Sequence, residues 1–132
     1  GSYALGGAWA FAVTACLSRG VAVEAALAPV LVLLADTGYT LWMRLRAGQC
    51  WYAPHRLHVY QRLVCAGWPH WASALLVTLA AAACSALAAS GLLTSNRLWM
   101  PQVAMAAVLI VYLKMPSIIG APNPFPTLRR AR

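Results

Sequence analysis

From Trp71 to Ser95 the chain runs 25 residues without a charged side chain, enough helix to cross roughly 30 Å of hydrocarbon. Inside lipid a backbone must satisfy its own polar groups, and an unbroken apolar run of this length does so as a helix. Three more apolar stretches accompany it: Tyr3 to Leu17, Val21 to Met43, and Leu98 to Ile119. Ser18-Arg19-Gly20 separates the first two, and Glu24, Pro29 and Asp36 interrupt the second. Pro101 lies near the start of the last and Lys114 near its end. At about 15 residues the first stretch is marginal for a full crossing and reads as a helix cut off at its start. The expected fold is all-α: one integral-membrane domain over residues 1–132, with about four transmembrane helices. Side chains are 62% hydrophobic and only 9% charged, against about 45–50% and 25% in soluble domains. That excess excludes a water-soluble enzyme and a disordered tail.

Charge sets the expected orientation. Ten Lys and Arg face only two acidic residues, Glu24 and Asp36. Arg44, Arg46, Arg56 and Arg62 lie between the second and third spans; Lys114, Arg129, Arg130 and Arg132 end or follow the fourth. Those two ends share one side of the membrane, and the other side holds Arg19 and Arg97. By the positive-inside rule the loop 44–70, the basic tail 120–132 and the N-terminus are cytoplasmic. The expected location is a bacterial inner membrane, and the lipid bilayer, not nucleic acid, is the partner the cations address. Trp71 and Trp99 sit at span ends, where an interfacial aromatic belt places them. Cys16, Cys50, Cys65 and Cys84 show no paired spacing, so no disulfide framework is expected. Gly1-Ser2 opens into apolar sequence without a basic n-region, so no signal peptide is expected.

The loop RLRAGQCWYAPHRLHVYQRLVCAGWPH, Arg44 to His70, is the informative segment. Pro54 suits the first turn of a helix, Gly67 suits a C-terminal cap, and Pro69 forbids continuation. Set at 100° intervals, His55, His58 and Arg62 share one 60° stripe. Val59, Leu63, Tyr60, Val64 and Leu57 form a broad apolar face with Arg56 in its midst. The expectation is an amphipathic helix at the membrane surface that presents two imidazoles and a guanidinium together. Such a stripe suits anionic oxygens, because Arg offers forked donors and His exchanges a proton near neutral pH.

Asp36 is the oddest residue, since a carboxylate inside a span costs roughly 2.5–3.5 kcal/mol on insertion scales and needs a partner or a wet cavity. It is read either as a wall of the site and anchor for Arg44, or as helix–helix glue bonded through Thr37 or Thr40. Glu24, at the outer start of its span, is expected to be interfacial. Cys50, His55, His58 and Cys65 can be written as a C-x4-H-x2-H-x6-C zinc site, but this spacing matches no common finger and Pro54 separates Cys50 from the helix. A solvated polar face without a ligand is the plain alternative. Trp51-Tyr52 either stacks on a base or anchors the loop at the headgroups. Gly6-Gly7 reads as close helix packing, and His70 as interfacial.

At Leu34 to Leu63, LADTGYTLWMRLRAGQCWYAPHRLHVYQRL, the sequence resembles the last large cytoplasmic loop and entry helix of the polyprenyl-phosphate N-acetylhexosamine-1-phosphate transferases, bacterial glycosyltransferase family 4. The H-R-x-H-x-Y-Q-R-L variant resembles enzymes that initiate O-antigen synthesis on undecaprenyl phosphate. Gly1 to Gly6 is similar to the end of the family's G-D-x-G-S stretch. The resemblance implies transfer of an N-acetylhexosamine-1-phosphate from a UDP-sugar to undecaprenyl phosphate, with release of UMP and with magnesium neutralising the pyrophosphate. His58 matches the first His of the family's H-x-H-H motif and is implied as catalytic. Arg56 matches the Arg that precedes it; with His55 and Arg62 it is implied to bind substrate phosphate, while Asp36 and Arg44 wall or position the cavity.

Tyr60 and Gln61 replace the second and third His of the commoner pattern, and His55 stands where relatives often carry Asp. The family's tandem Asp pair and metal-binding Asp are absent from this sequence, so the resemblance implies a C-terminal portion with the phosphate-recognition loop and without magnesium ligands, inactive by itself, with homodimerisation open. Two other classes compete. A small four-span transporter would need an acidic residue deep in an early span, and dimer-dependent export of a cationic dye would reveal it. A non-catalytic membrane assembly protein would lack nucleotide-sugar chemistry altogether.

Overall fold

The computed structural model describes residues 2–50, 52–53, 56–93 and 99–122. They form five helices in chain order, α1 (Ser2–Ser18), α2 (Val23–Arg46), α3 (Val59–Cys65), α4 (His70–Leu93) and α5 (Trp99–Ile118), with no strand among the described residues. The all-helical expectation holds. Three helices, over Ala25–Arg46, His70–Leu92 and Trp99–Ile118, are long and apolar enough to cross a membrane. The apolar part of α1, Gly6–Ser18, is shorter. Even all 17 residues of α1 span about 25 Å at 1.5 Å per residue, short of the roughly 30 Å a straight crossing needs. By length, then, three of the four expected spans stand.

The bundle is built on α4, which packs against α2 and α5; α2 and α5 also touch each other, and α1 leans on α2. Small side chains make the close approach possible: Ala28 of α2, Ala80, Cys84 and Ala88 of α4 are all buried, and small residues let apolar helices pack backbone to backbone in lipid. At the other end of α4, Gly91 faces Pro101 of α5 so closely that a Cβ there would lie 3.2 Å from Pro101 Cγ. The outer faces are apolar. Leu33, Leu34, Leu75, Leu79, Val103, Ile110 and Val111 are exposed, which is what a lipid-facing surface requires and a water-facing one does not. Trp71 and Trp99 open α4 and α5 with their side chains exposed, and Arg46 lies 4.2 Å over the Trp42 ring at the end of α2. Both arrangements suit an interface where one end of a side chain is apolar and the other wet.

The short α3 plugs one end of this bundle. Its Val59 and Leu63, one turn apart on the same face, are buried among α2, α4 and α5. Helix α3 ends as the sequence predicts: Gly67 takes φ +98°, its N–H donates to Val64 at 3.0 Å, and the Trp68 N–H donates to Leu63 at 3.0 Å. This pair of bonds is the Schellman motif, and Trp68 packs back against the core that holds Leu63. Pro69 then opens α4, its carbonyl accepting the Ala72 and Ser73 amides.

The start of α3 corrects the expectation. The predicted helix runs from Pro54, yet α3 begins at Val59, with His58 as an extended N-cap at φ −61°, ψ 151°. Pro54 and His55 lie outside the described residues, and residues 56–58 are not helical. His58 therefore stands ahead of α3 rather than within a helix that also carries Arg62, and His55, the third member of the expected stripe, lies outside the described residues.

Because nothing lies within 4 Å of a Cβ built on Gly67, Gly67→Ala isolates the backbone cost of its left-handed conformation. We expect a loss of about 1–2 kcal/mol, read as a lower thermal midpoint in detergent. An unchanged midpoint would mean that this turn has room to rearrange.

Candidate functional site

The site grows from the buried carboxylate. Asp36 lies just past the middle of α2 and is 1% exposed, so its charge must be met by donors rather than by water. Four groups meet it. Thr40, one turn on, donates its hydroxyl to Oδ1 at 3.2 Å. The Val59 amide, first of α3, donates to Oδ1 and Oδ2, both at 3.1 Å. Tyr112 of α5 donates its hydroxyl to Oδ2 at 3.3 Å, and His58 Nδ1 lies 3.5 Å from Oδ1. Asp36 thus caps a helix from a different helix, filling the role that a Ser or Asp at the N-cap normally fills. That is why α3 starts at Val59: its first free amide is already taken. The expected bond to Thr40 is present but stays within α2, the contacts that join helices are those of Val59 and Tyr112, and Thr37 is exposed.

The loop is fastened at other points too. Ser73 of α4, also buried, donates its hydroxyl to the Tyr60 carbonyl at 2.9 Å. Gln61 folds back so that its Oε1 accepts the His58 amide at 3.3 Å. Arg44 does not reach out into a loop as its position suggests; α2 continues through Arg46, and Arg44 is buried at 3% exposure. Its Nη2 donates to the Cys50 carbonyl, which tethers the chain where it leaves α2.

His58 and Arg62 are linked through the first backbone turn of α3. His58 is partly exposed and stacks on Tyr60, ring centroids 5.9 Å apart and planes 7° from parallel. Arg62 sits one turn after His58, whose carbonyl accepts the Arg62 amide at 2.9 Å. Its guanidinium is half-buried; burial pulls its pKa below the usual value, opposed by nearby Tyr39 and by Asp36. It stays cationic near neutral pH, as a guanidinium does in proteins, and its Nε is buried without a hydrogen-bond partner. Arg56 is exposed on the segment leading into α3. His55 falls outside the described residues.

A groove of about 490 Å³ opens beside α3, between Leu33 of α2, Tyr60 and Val64 of α3, and Ser73, Val77 and Thr78 of α4. Tyr60 is the link between groove and site, since its ring stacks on His58 while also lining the groove; Asp36, Arg44, His58 and Arg62 are not on the groove wall.

A magnesium ion does not fit this set. Among the described residues no three His, Cys, Asp or Glu side chains converge, and both oxygens of Asp36 already accept protein donors in a site closed to water. Magnesium needs accessible carboxylate oxygens and retains several waters.

Sequence reasoning reached Asp36, His58, Arg62 and Arg44 but missed Tyr112 and Ser73. Tyr112 lies in the last span, 76 positions from Asp36. The one signal that could have found it is a phenol well inside an apolar span, which needs a hydrogen-bond partner when buried.

Set against known protein families, curated proteins and solved structures, the chain matches none.

Proposed function

We propose that this chain carries the phosphate-recognition loop of a membrane glycosyl-1-phosphate transferase. The reaction moves an N-acetylhexosamine-1-phosphate from a UDP-sugar to undecaprenyl phosphate and releases UMP, the first membrane step of a lipid-linked cell-envelope glycan. The stretch from Leu34 to Leu63 resembles that family, and the loop faces the cytoplasm of a bacterial inner membrane on the positive-inside reading. One observation carries the proposal: a buried Asp36 caps α3 and so holds His58 and Arg62 at one end of an apolar bundle, with Arg56 exposed just before them.

The chemistry suits what such an arrangement does. A lipid phosphate oxygen attacks the sugar-bearing phosphorus, and the bond to the UMP oxygen breaks. Phosphoryl transfer of this kind is catalysed almost wholly by positioning and by charge stabilisation. Arg56 and Arg62 offer forked donors to the diphosphate oxygens, and the His58 imidazole adds a further donor as charge develops on them. Magnesium, implied by the resemblance, finds no ligand set among the described residues, and no step here runs through it.

The test is binding of UDP-N-acetylglucosamine to the chain in lipid nanodiscs at low ionic strength. We expect salt-sensitive binding that weakens at least about ten-fold in Arg56→Ala, the worth of one charge-assisted hydrogen bond. Arg56 is exposed, so its removal leaves the fold intact. Absence of binding, or affinity untouched by both Arg56→Ala and Arg62→Ala, would sink the proposal.

A further inference from the structure

We infer that Tyr112 is a positioning residue for the loop: its hydroxyl, acting through the Asp36 carboxylate, sets where α3 begins and therefore where His58 and Arg62 stand. What this means for phosphate binding rests on the transferase reading; the geometry does not.

A seven-residue helix has no stability of its own in water, because nucleation alone exceeds what two turns return. Its start is decided by what it docks on. Val59 N–H points between the two oxygens of Asp36, 3.1 Å from each, so the plane of the carboxylate matters and not only its position. Thr40 holds Oδ1 from the same helix. That contact alone leaves the second oxygen free to swing. Tyr112 holds Oδ2 from a second helix, α5, and the two donors together fix the plane. The phenol is 2% exposed, in the core that also contains Val59 and Leu63. A phenylalanine would fill that core equally well; the hydroxyl is what the carboxylate requires.

The experiment compares Tyr112→Phe with the unaltered chain in nanodiscs by amide hydrogen exchange, thermal midpoint and UDP-N-acetylglucosamine affinity. The substitution keeps the ring. Exchange across residues 59–65 is expected to speed up roughly ten-fold, as for the loss of one hydrogen bond to a charged acceptor, with exchange in the middle of α4 unchanged. Affinity for the nucleotide sugar falls several-fold while the midpoint holds. In an Asp36→Leu background, which remains compatible with membrane insertion, Tyr112→Phe loosens residues 59–65 no further, because the coupling runs through the carboxylate, and the midpoint rises if it moves at all, since the orphaned hydroxyl is removed. Unaltered exchange over 59–65 would overturn the inference, and so would a loosening shared equally by α4 and α5. Local loosening in a chain that binds no UDP-sugar would uphold the positioning role and overturn the transferase reading instead.

Discussion

Asp36→Ala is expected to free α3 from the bundle while making the chain easier to insert. Two effects oppose each other. A carboxylate within a span costs roughly 2.5–3.5 kcal/mol on insertion scales, and alanine removes that cost. Against this, the Val59 amide and the Tyr112 hydroxyl lose their acceptor in a buried setting, at about 1–3 kcal/mol each. Thr40 escapes most of the penalty, since its hydroxyl can turn to a carbonyl of its own helix. The gain belongs to insertion of α2 and the loss to docking of α3. They therefore do not cancel in any one measurement. What otherwise holds α3 is mainly the burial of Val59 and Leu63, worth about 3–6 kcal/mol together, with the Ser73 hydroxyl on the Tyr60 carbonyl, so losing the cap removes a large share of the total. Amide exchange over residues 59–65 is predicted to rise roughly 100-fold, with the yield of inserted protein equal or higher. Slow exchange retained in that segment would show that Asp36 does not cap α3.

The second large effect is expected at Leu63, which is fully buried where α3 meets the bundle. Truncation to alanine in a packed core costs about 2–5 kcal/mol. A full-length span would absorb such a loss, because α4 keeps its contacts with α2 and α5 through Ala80, Cys84 and Ala88. Helix α3 has only one other buried side chain, Val59. Leu63→Ala should therefore expose the segment between α2 and α4 to limited proteolysis while the spans stay protected. The neighbouring Val64, half-buried at the edge of the groove, serves as the control: Val64→Ala should change cleavage little. Equal sensitivity of the two variants would mean that α3 is held by its ends rather than by its buried face.

Both predictions turn on residues that differ in how visible they were beforehand. Asp36 stood out because a charge inside an apolar run is expensive wherever it points, so one look at the sequence demands a partner. Gly67 and Pro69 were legible for a similar reason: the left-handed turn and the missing N–H are properties of single residues. Tyr112 had no such mark until its partner was known, since one tyrosine in a span is read as readily as an interfacial aromatic. For the beginning of α3, local preference points to Pro54, a good first residue of a helix. What prevailed was a carboxylate from α2 waiting for the Val59 amide, with His58 held extended in front of it. Arg44 was placed in a loop by its charge, whereas α2 carries on past it and folds the guanidinium against the Cys50 carbonyl.

Apolar runs, turn glycines and the placement of charge are properties of the chain read in order, and they were enough to specify helices, an apolar exterior and one costly carboxylate in a span. Which groups meet that carboxylate is a different kind of fact. Thr40, Val59, His58 and Tyr112 come from three helices and one connecting segment, and they converge only once α2, α4 and α5 have packed. Burial makes an unmet charge intolerable, but only the packed bundle decides which donors are near enough to meet it.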